Sequence, residues 1–164
     1  MLEMFSGFAE MLTSPDSLFE PDSFQIQKRN GIEITYSELT TRLATIIDVA
    51  DCSERNRISR IRNAIWDTGS VGCSVSRRIA DEIGLHQVDT GVLVTATGQV
   101  ETPIYLLDIH MTNTLVFENV RVFGSPMKNR GVDFLIGMDI ISKGRFLVET
   151  VDGKTHMEFT ATGK

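Results

Sequence analysis

Short apolar runs separated by turn residues recur along this 164-residue chain and constrain its fold more than any other feature. Apolar and polar residues alternate around Asn30-Gly31 and Asp152-Gly153, and both dipeptides are typical of tight β-hairpin turns. Only brief segments, Ser74 to Gly84 and the residues after Gly137, favour a helix. Many short strands with few helices predict a mainly β fold, either a closed barrel or a sandwich.

The N-terminal residues differ from the rest of the chain. MLEMFSGFAEML, residues 1–12, has apolar residues at near-helical spacing, and a turn-rich stretch follows it. We predict an N-terminal extension or linker over residues 1–23. Residues 24–164 are then long enough for one domain with its own core.

Charge and composition narrow the expected partners. The net charge is -6, which argues against a nucleic-acid surface covering the whole molecule. No apolar run approaches the roughly 20 residues that a membrane span needs. The first 27 residues contain acidic side chains but no Lys or Arg, the reverse of a signal peptide. Without a CxxC motif, Cys52 and Cys73 favour reduced thiols. We therefore expect a cytoplasmic protein with no nucleic-acid or membrane partner.

An apolar strand that runs directly into an acidic residue is the strongest functional feature. Ala64–Trp66 is followed by Asp67, and then by Thr68-Gly69-Ser70. A carboxylate at the end of a buried strand is costly unless something holds it or uses it. A second apolar strand, Leu135-Ile136, also ends in a glycine. Between the two lies a predicted hairpin with Thr95-Ala96-Thr97-Gly98 at its tip.

These segments together resemble the retropepsins, the retroviral-type aspartic peptidases, over roughly Leu43 to Glu149. The resemblance includes the short helix within Ser74 to Gly84 and the strand and helical turn of Leu135 to Ile141. Two residues depart from the usual viral pattern: Ser70 stands where alanine is commoner, and Trp66 where a smaller aliphatic residue is commoner. The resemblance implies a closed-barrel-like retropepsin fold.

Peptide hydrolysis without a metal or a covalent intermediate requires one group to take a proton from water and another to donate one. Two carboxylates about 3 Å apart do both, because they share a proton. Asp-Thr-Gly occurs twice in this chain, at Asp67 and at Asp89, but only Asp67 directly follows an apolar strand, so we expect the second carboxylate to come from a second copy. The sequence therefore predicts a homodimeric aspartic endopeptidase that acts on peptides or proteins.

The resemblance also implies residue roles. Asp67 would be the general acid and base, Thr68 would hydrogen-bond across the dimer, and Gly69 would permit close approach of the backbone. Substrate would contact Ser70 and the flap-like hairpin of about Val94 to Pro103, in particular Thr95, Ala96, Thr97 and Gly98. Neither a metal nor a cofactor is implied. Asn30-Gly31, Asp152-Gly153 and the terminal strands are candidates for the dimer interface.

Other interpretations remain open at this point. Asp67 could cap its own turn, and a dimer of the same fold could bind peptides without cleaving them. Asp133 and Asp139 could pair with backbone or arginine, and neither is followed by the Thr-Gly expected after a second catalytic acid. Ser70 or Cys73 as nucleophile is disfavoured, because there is no GxSxG motif.

Basic and histidine side chains provide two weaker candidates. A nucleic-acid patch formed by Arg55, Arg57, Arg60 and Arg62 is less favoured than a solvated loop, because no aromatic residues are interleaved. Surface or strand positions are favoured over metal ligation for His86, His110 and His156, which lack ligand spacing.

Overall fold

The computed structural model describes residues 23–95, 98–127 and 131–163. Within them the chain forms eleven strands and two short helices. In chain order these are β1 Phe24–Lys28, β2 Gly31–Thr35, β3 Ala44–Asp51, β4 Ile58–Trp66, β5 Ser74–Ser76, α1 Arg77–Ile83, β6 Asp89–Thr95, β7 Gly98–His110, β8 Val116–Ser125, β9 Phe134–Ile136, α2 Met138–Ile141, β10 Gly144–Val151 and β11 Lys154–Ala161. The helix predicted at residues 1–12 lies outside the described residues. The division between residues 23 and 24 stays a prediction.

Six of the strands close into a barrel. The order of hydrogen-bonded neighbours is β3-β4-β9-β5-β8-β7, and β3 also pairs with β7, which closes the ring. The pairs β4–β9 and β5–β8 are parallel, whereas the other barrel pairs are antiparallel. Fully buried aliphatic and aromatic side chains form the core, among them Leu107, Val122, Phe134 and Ile136. The predicted mainly β, closed-barrel fold is confirmed.

A second sheet, in the order β1-β2-β11-β10, packs against the barrel. Trp66, at the end of β4, stacks on Phe146 of β10 with ring centroids 5.1 Å apart. The same ring lies 4.9 Å from that of Phe159 in β11. Offset aromatic packing of this kind adds to the free energy gained by burying the rings. The end of β4 is therefore fixed by both sheets.

Both predicted hairpins form, but the first turn is one residue earlier than expected. Asp152 and Gly153 have φ values of 51° and 74°, as a type I′ turn requires. In the first hairpin Lys28 pairs with Gly31, so the turn residues are Arg29 and Asn30 rather than Asn30-Gly31. Gly31 lies within β2, where a Cβ would overlap the carbonyl oxygen of Phe159. The glycine is needed for close strand approach and not for the turn.

The sequence predicts a short helix capped at its start by Ser74 or Ser76 and at its end by Gly84, and the structure selects Ser76. Ser74–Ser76 form β5, because this stretch hydrogen-bonds to β8 and β9. Helix α1 follows, and the Oγ of Ser76 accepts a hydrogen bond from the backbone N–H of Ile79 at 3.2 Å. Gly84 ends the helix with a φ of 70°, as predicted.

Candidate active site

Asp67 directly follows β4 and is held by a tight turn. Its backbone N–H donates to the carbonyl of Ile136 in β9 at 3.0 Å, and its own carbonyl accepts from the N–H of Ser70 at 3.2 Å. The carboxylate Oδ1 accepts from the N–H of Gly69 at 2.9 Å. The side chain is half-buried. The turn therefore orients the carboxylate while leaving it accessible.

A second turn, between β9 and α2, interlocks with the first. A Cβ on Gly137 would lie 2.5 Å from the carbonyl carbon and oxygen of Gly72, so the two backbones touch. The N–H of Met138 donates to the Ser70 carbonyl at 2.8 Å, and that of Asp139 donates to the Val71 carbonyl at 3.0 Å. The turn that carries Asp67 is thus braced by residues about 70 positions away in sequence.

Asp139 is engaged within this brace. Its Oδ2 accepts from the backbone N–H of Cys73 at 3.0 Å, and its Oδ1 accepts from the Cys73 Sγ at 3.2 Å and from the N–H of Ile140 at 3.0 Å. Asp139 therefore binds backbone, one of the two alternatives open from the sequence. The other acid, Asp133, binds Arg78 and Asn63.

The two alternative nucleophiles are poorly suited to attack. Burial, together with the neighbouring Asp139 carboxylate, raises the pKa of the Cys73 thiol well above its ordinary value. A buried thiol of this kind forms little of the reactive thiolate. The Ser70 hydroxyl donates to the carbonyl of Gly72 at 2.7 Å. Both the sequence and the structure therefore disfavour a serine or cysteine nucleophile.

A cavity of about 570 Å³ lies between the Asp67 turn and the β6–β7 hairpin. We call it the groove; it is lined by Asp67, Gly69 and Ser70 on one side and by Val92–Thr95 on the other, with Phe123 and Leu135 from the barrel. Asp67 is the only carboxylate among the lining residues of the described chain. Apolar walls with a single acid suit an extended peptide better than a charged ligand.

The predicted site residues fall into three groups. Asp67, Gly69, Ser70 and Thr95 all line the groove. Thr68 is exposed on the turn, and Gly98 begins β7 with a φ of 134°; neither lines the groove. Ala96 and Thr97 lie outside the described residues. The catalytic and binding roles assigned to all of these residues stay predictions.

Sequence reasoning missed part of the groove wall. It did not assign Val92, Phe123 or Leu135 to substrate binding, although the structure places all three on the groove. Alternation along β6 could have indicated Val92, because it lies two residues from Val94 on the same strand face. Phe123 reaches the groove only through barrel closure, for which no local signal exists, whereas Leu135 lies in the apolar strand that the resemblance includes.

The remaining candidates lie elsewhere on the molecule. Arg55 binds Asp108, Arg57 binds Glu54 and Arg60 binds Asp48, whereas Arg62 is exposed on β4. His86 and His156 have separate acidic neighbours, Asp51 and Glu33. In the described part of the chain no three His, Cys, Asp or Glu side chains are grouped to hold a metal ion. No helix within that part is long and apolar enough to cross a bilayer.

Comparison with known proteins identifies the family. A family model described as aspartyl protease matches residues 59–140, half of the chain, from β4 through the turn at α2. The chain therefore belongs to the aspartyl protease family, and the family predicted from the sequence is confirmed.

One similar solved structure is a retropepsin-like aspartic protease from Rickettsia conorii. The two sequences are 12% identical, the match covers 88% of this chain and 100% of that one, and the TM-score is 0.47. None of the curated proteins compared with the chain matches it.

Proposed function

We propose that the protein is an aspartic endopeptidase whose active form is a homodimer. One observation supports this proposal above the others. The chain belongs to the aspartyl protease family, and Asp67 is the single carboxylate among the described residues that line its groove. Acid and base catalysis on a peptide bond needs two proton-transferring groups. A symmetric second copy supplies the other one, its own Asp67.

The surface next to Asp67 supports a second copy. Val71 has 88% of its surface exposed and Met138 has 37%, and Thr68, next to Asp67 in sequence, is also exposed. Apolar side chains at such a position favour a protein partner. Thr68 would then donate a hydrogen bond across the two-fold axis, and Gly69 would let the two turns approach without a Cβ between them.

The mechanism follows from the shared proton. One Asp67 carboxylate is ionised and takes a proton from a water that lies between the pair, while the other donates its proton to the carbonyl oxygen of the peptide bond. The N–H of Gly69 holds Oδ1 in a fixed orientation during this exchange. Extended substrate lies in the groove along Val92–Thr95, with main-chain hydrogen bonds to the hairpin.

Replacing Asp67 by asparagine tests the proposal. Purified protein should cleave a degenerate peptide library at mildly acidic pH, and Asp67→Asn should lower kcat/KM by at least about 10²–10⁴-fold, since both proton-transferring carboxylates of the dimer are lost. Light scattering should show the same dimer for both proteins. Asp81→Asn, on the exposed face of α1, is the matched control and should retain full activity.

Two results would contradict the proposal. Undiminished cleavage by Asp67→Asn would remove this residue from the mechanism. Wild-type protein that binds library peptides as a dimer but cleaves none would identify a silent peptide-binding protein instead.

A further inference from the structure

The hairpin over the groove ends in a part that has little support from the barrel. β7 pairs with β8 only from Ile104 onward, whereas Val92–Thr95 and Gly98–Glu101 pair with each other. We call these eight residues the ribbon. An isolated two-stranded ribbon is marginally stable in water. Its orientation over the groove therefore depends on contacts at its base.

Arg77, the first residue of α1, makes such a contact. One guanidinium nitrogen, Nη2, donates to the carbonyl oxygen of Glu101 at 3.0 Å and to the Oγ1 of Thr102 at 3.3 Å. Thr102 is buried, and its hydroxyl donates in turn to the carbonyl of Gly124 in β8. A charged donor makes stronger hydrogen bonds than a neutral one. The base of the ribbon is thus tied to both α1 and β8.

The Nε of Arg77 is buried and has no hydrogen-bond partner among the described residues. A buried donor without a partner costs about 1–3 kcal/mol. An arginine that served only solubility would keep this atom in water. The side chain is instead drawn inward to reach Glu101, which favours a positioning role.

Arg77 also connects the ribbon to the strand that carries Asp67. It directly follows β5, where Ser74 pairs with Leu135 of β9. Leu135 pairs in turn with Ile65 of β4, two residues before Asp67. Both Ser74 and Leu135 line the groove. A single run of neighbouring strands therefore fixes the distance between the ribbon base and the carboxylate.

We propose that Arg77 is a positioning residue that holds the ribbon in its position over the groove, close enough to contact bound substrate. Its consequence for catalysis rests on the proposed peptidase function, but its effect on the ribbon does not. Removing the guanidinium should let the ribbon open, so that substrate is bound more weakly while the chemistry at Asp67 is unchanged.

Hydrogen exchange followed by mass spectrometry on the full chain, without substrate, directly tests whether Arg77 anchors the ribbon. Ribbon amides should exchange about tenfold faster in Arg77→Met, which keeps the apolar stem and removes the donors. Arg77→Lys keeps one charged donor and should lie between wild type and Arg77→Met. Arg60→Met removes an arginine that pairs with Asp48 on the barrel and should leave the ribbon unchanged. Amides of β10 and β11 serve as the internal reference for global stability.

Peptide cleavage then separates positioning from simple structural support. Arg77→Met should raise KM about tenfold and keep kcat within about twofold, because binding that is lost equally from the ground state and the transition state raises KM and leaves kcat unchanged. Partial recovery of KM in Arg77→Lys would support the assignment. Unchanged ribbon exchange in Arg77→Met would overturn it, and so would faster exchange with an unchanged KM.

The role of Arg77 can be tested even if the proposed peptidase function is wrong. If wild-type protein cleaves no peptide, the dissociation constant of a library peptide that binds the groove replaces KM. Weaker binding and faster ribbon exchange in Arg77→Met would support the anchor. Equal binding would overturn it.

Discussion

At the scale of single residues, Trp66 shows how a substitution that departs from a family pattern is accommodated. Its indole Nε1–H donates to the buried hydroxyl of Thr45 at 3.1 Å, and its ring stacks on Phe146. A smaller aliphatic residue could make neither contact. The tryptophan therefore links the strand that leads to Asp67 to the second sheet, whereas the sequence shows it only as a departure from the usual pattern.

Asp51, at the end of β3, gives a prediction about pH. Its carboxylate accepts from the Ser53 N–H at 2.8 Å, the Ser53 hydroxyl at 2.6 Å and the His86 N–H at 2.7 Å. Burial alone would raise the carboxyl pKa, but the hydrogen bonds from Ser53 and His86 outweigh burial and hold it below the ordinary value of 3.8. The ionised form is therefore the one that folding favours.

A lowered pKa means that this stabilisation is present above the unfolded pKa and disappears as pH falls through the folded one. Asp51→Asn should lower the free energy of unfolding by about 1–3 kcal/mol at neutral pH. In urea titrations from pH 7 downward, the difference from wild type should shrink below pH ~4. A difference for Asp51→Asn that stays constant with pH would contradict the explanation.

At the scale of secondary-structure elements, the contact between the two turns gives a prediction about packing. Gly137→Ala places a Cβ 2.5 Å from the backbone of Gly72, so the turn carrying Asp67 must shift. We expect the free energy of unfolding to fall by about 1–3 kcal/mol, the usual cost of overpacking.

Gly72→Ala is the matched control for this substitution. Its Cβ would meet nothing closer than the Asp139 Oδ2 at 3.7 Å, an ordinary contact. Urea unfolding of both variants decides the question. An equal loss of stability in the two variants would show that the interlock does not limit the turn.

The sequence predicted those elements whose conformation depends on a few neighbouring residues. The Asp152-Gly153 turn, the end of α1 at Gly84 and the turn after Asp67 each follow from a few neighbouring residues. Gly31 was wrongly assigned to a turn and the strand β5 was not predicted, because distant strands, β11 for the first and β8 and β9 for the second, determine their conformation. Local sequence patterns do not indicate which distant strands will pair.

The candidate active site also contains residues that follow from neighbouring sequence and residues that depend on distant strands. The carboxylate and its turn could be predicted, since Asp67 to Ser70 are consecutive. Phe123 and Arg77 could not, because they reach the groove or its cover only through the parallel pair β5–β8. Closing a barrel brings such residues together without any repeat or spacing in the sequence.

At the scale of the whole molecule, the proposed mechanism gives each chain half of the catalytic pair. Activity then belongs to the dimer and depends on both copies carrying Asp67. A mechanism in which one chain is sufficient makes a different prediction. The activity of a mixture of wild-type and Asp67→Asn chains depends on whether one chain or two carry the catalytic pair.

Mixing wild-type protein with Asp67→Asn at constant total concentration measures this dependence. If subunits exchange freely, an equimolar mixture contains about one quarter wild-type dimers, since pairing is random. Activity should therefore fall to about a quarter of that of wild type alone, and with the square of the wild-type fraction across a mixing series. Native mass spectrometry confirms exchange through the three dimer masses, and Asp81→Asn as the mixing partner should leave activity unchanged. A linear series, with half of the activity at the equimolar point, would show that each chain acts alone and that the second carboxylate has another source.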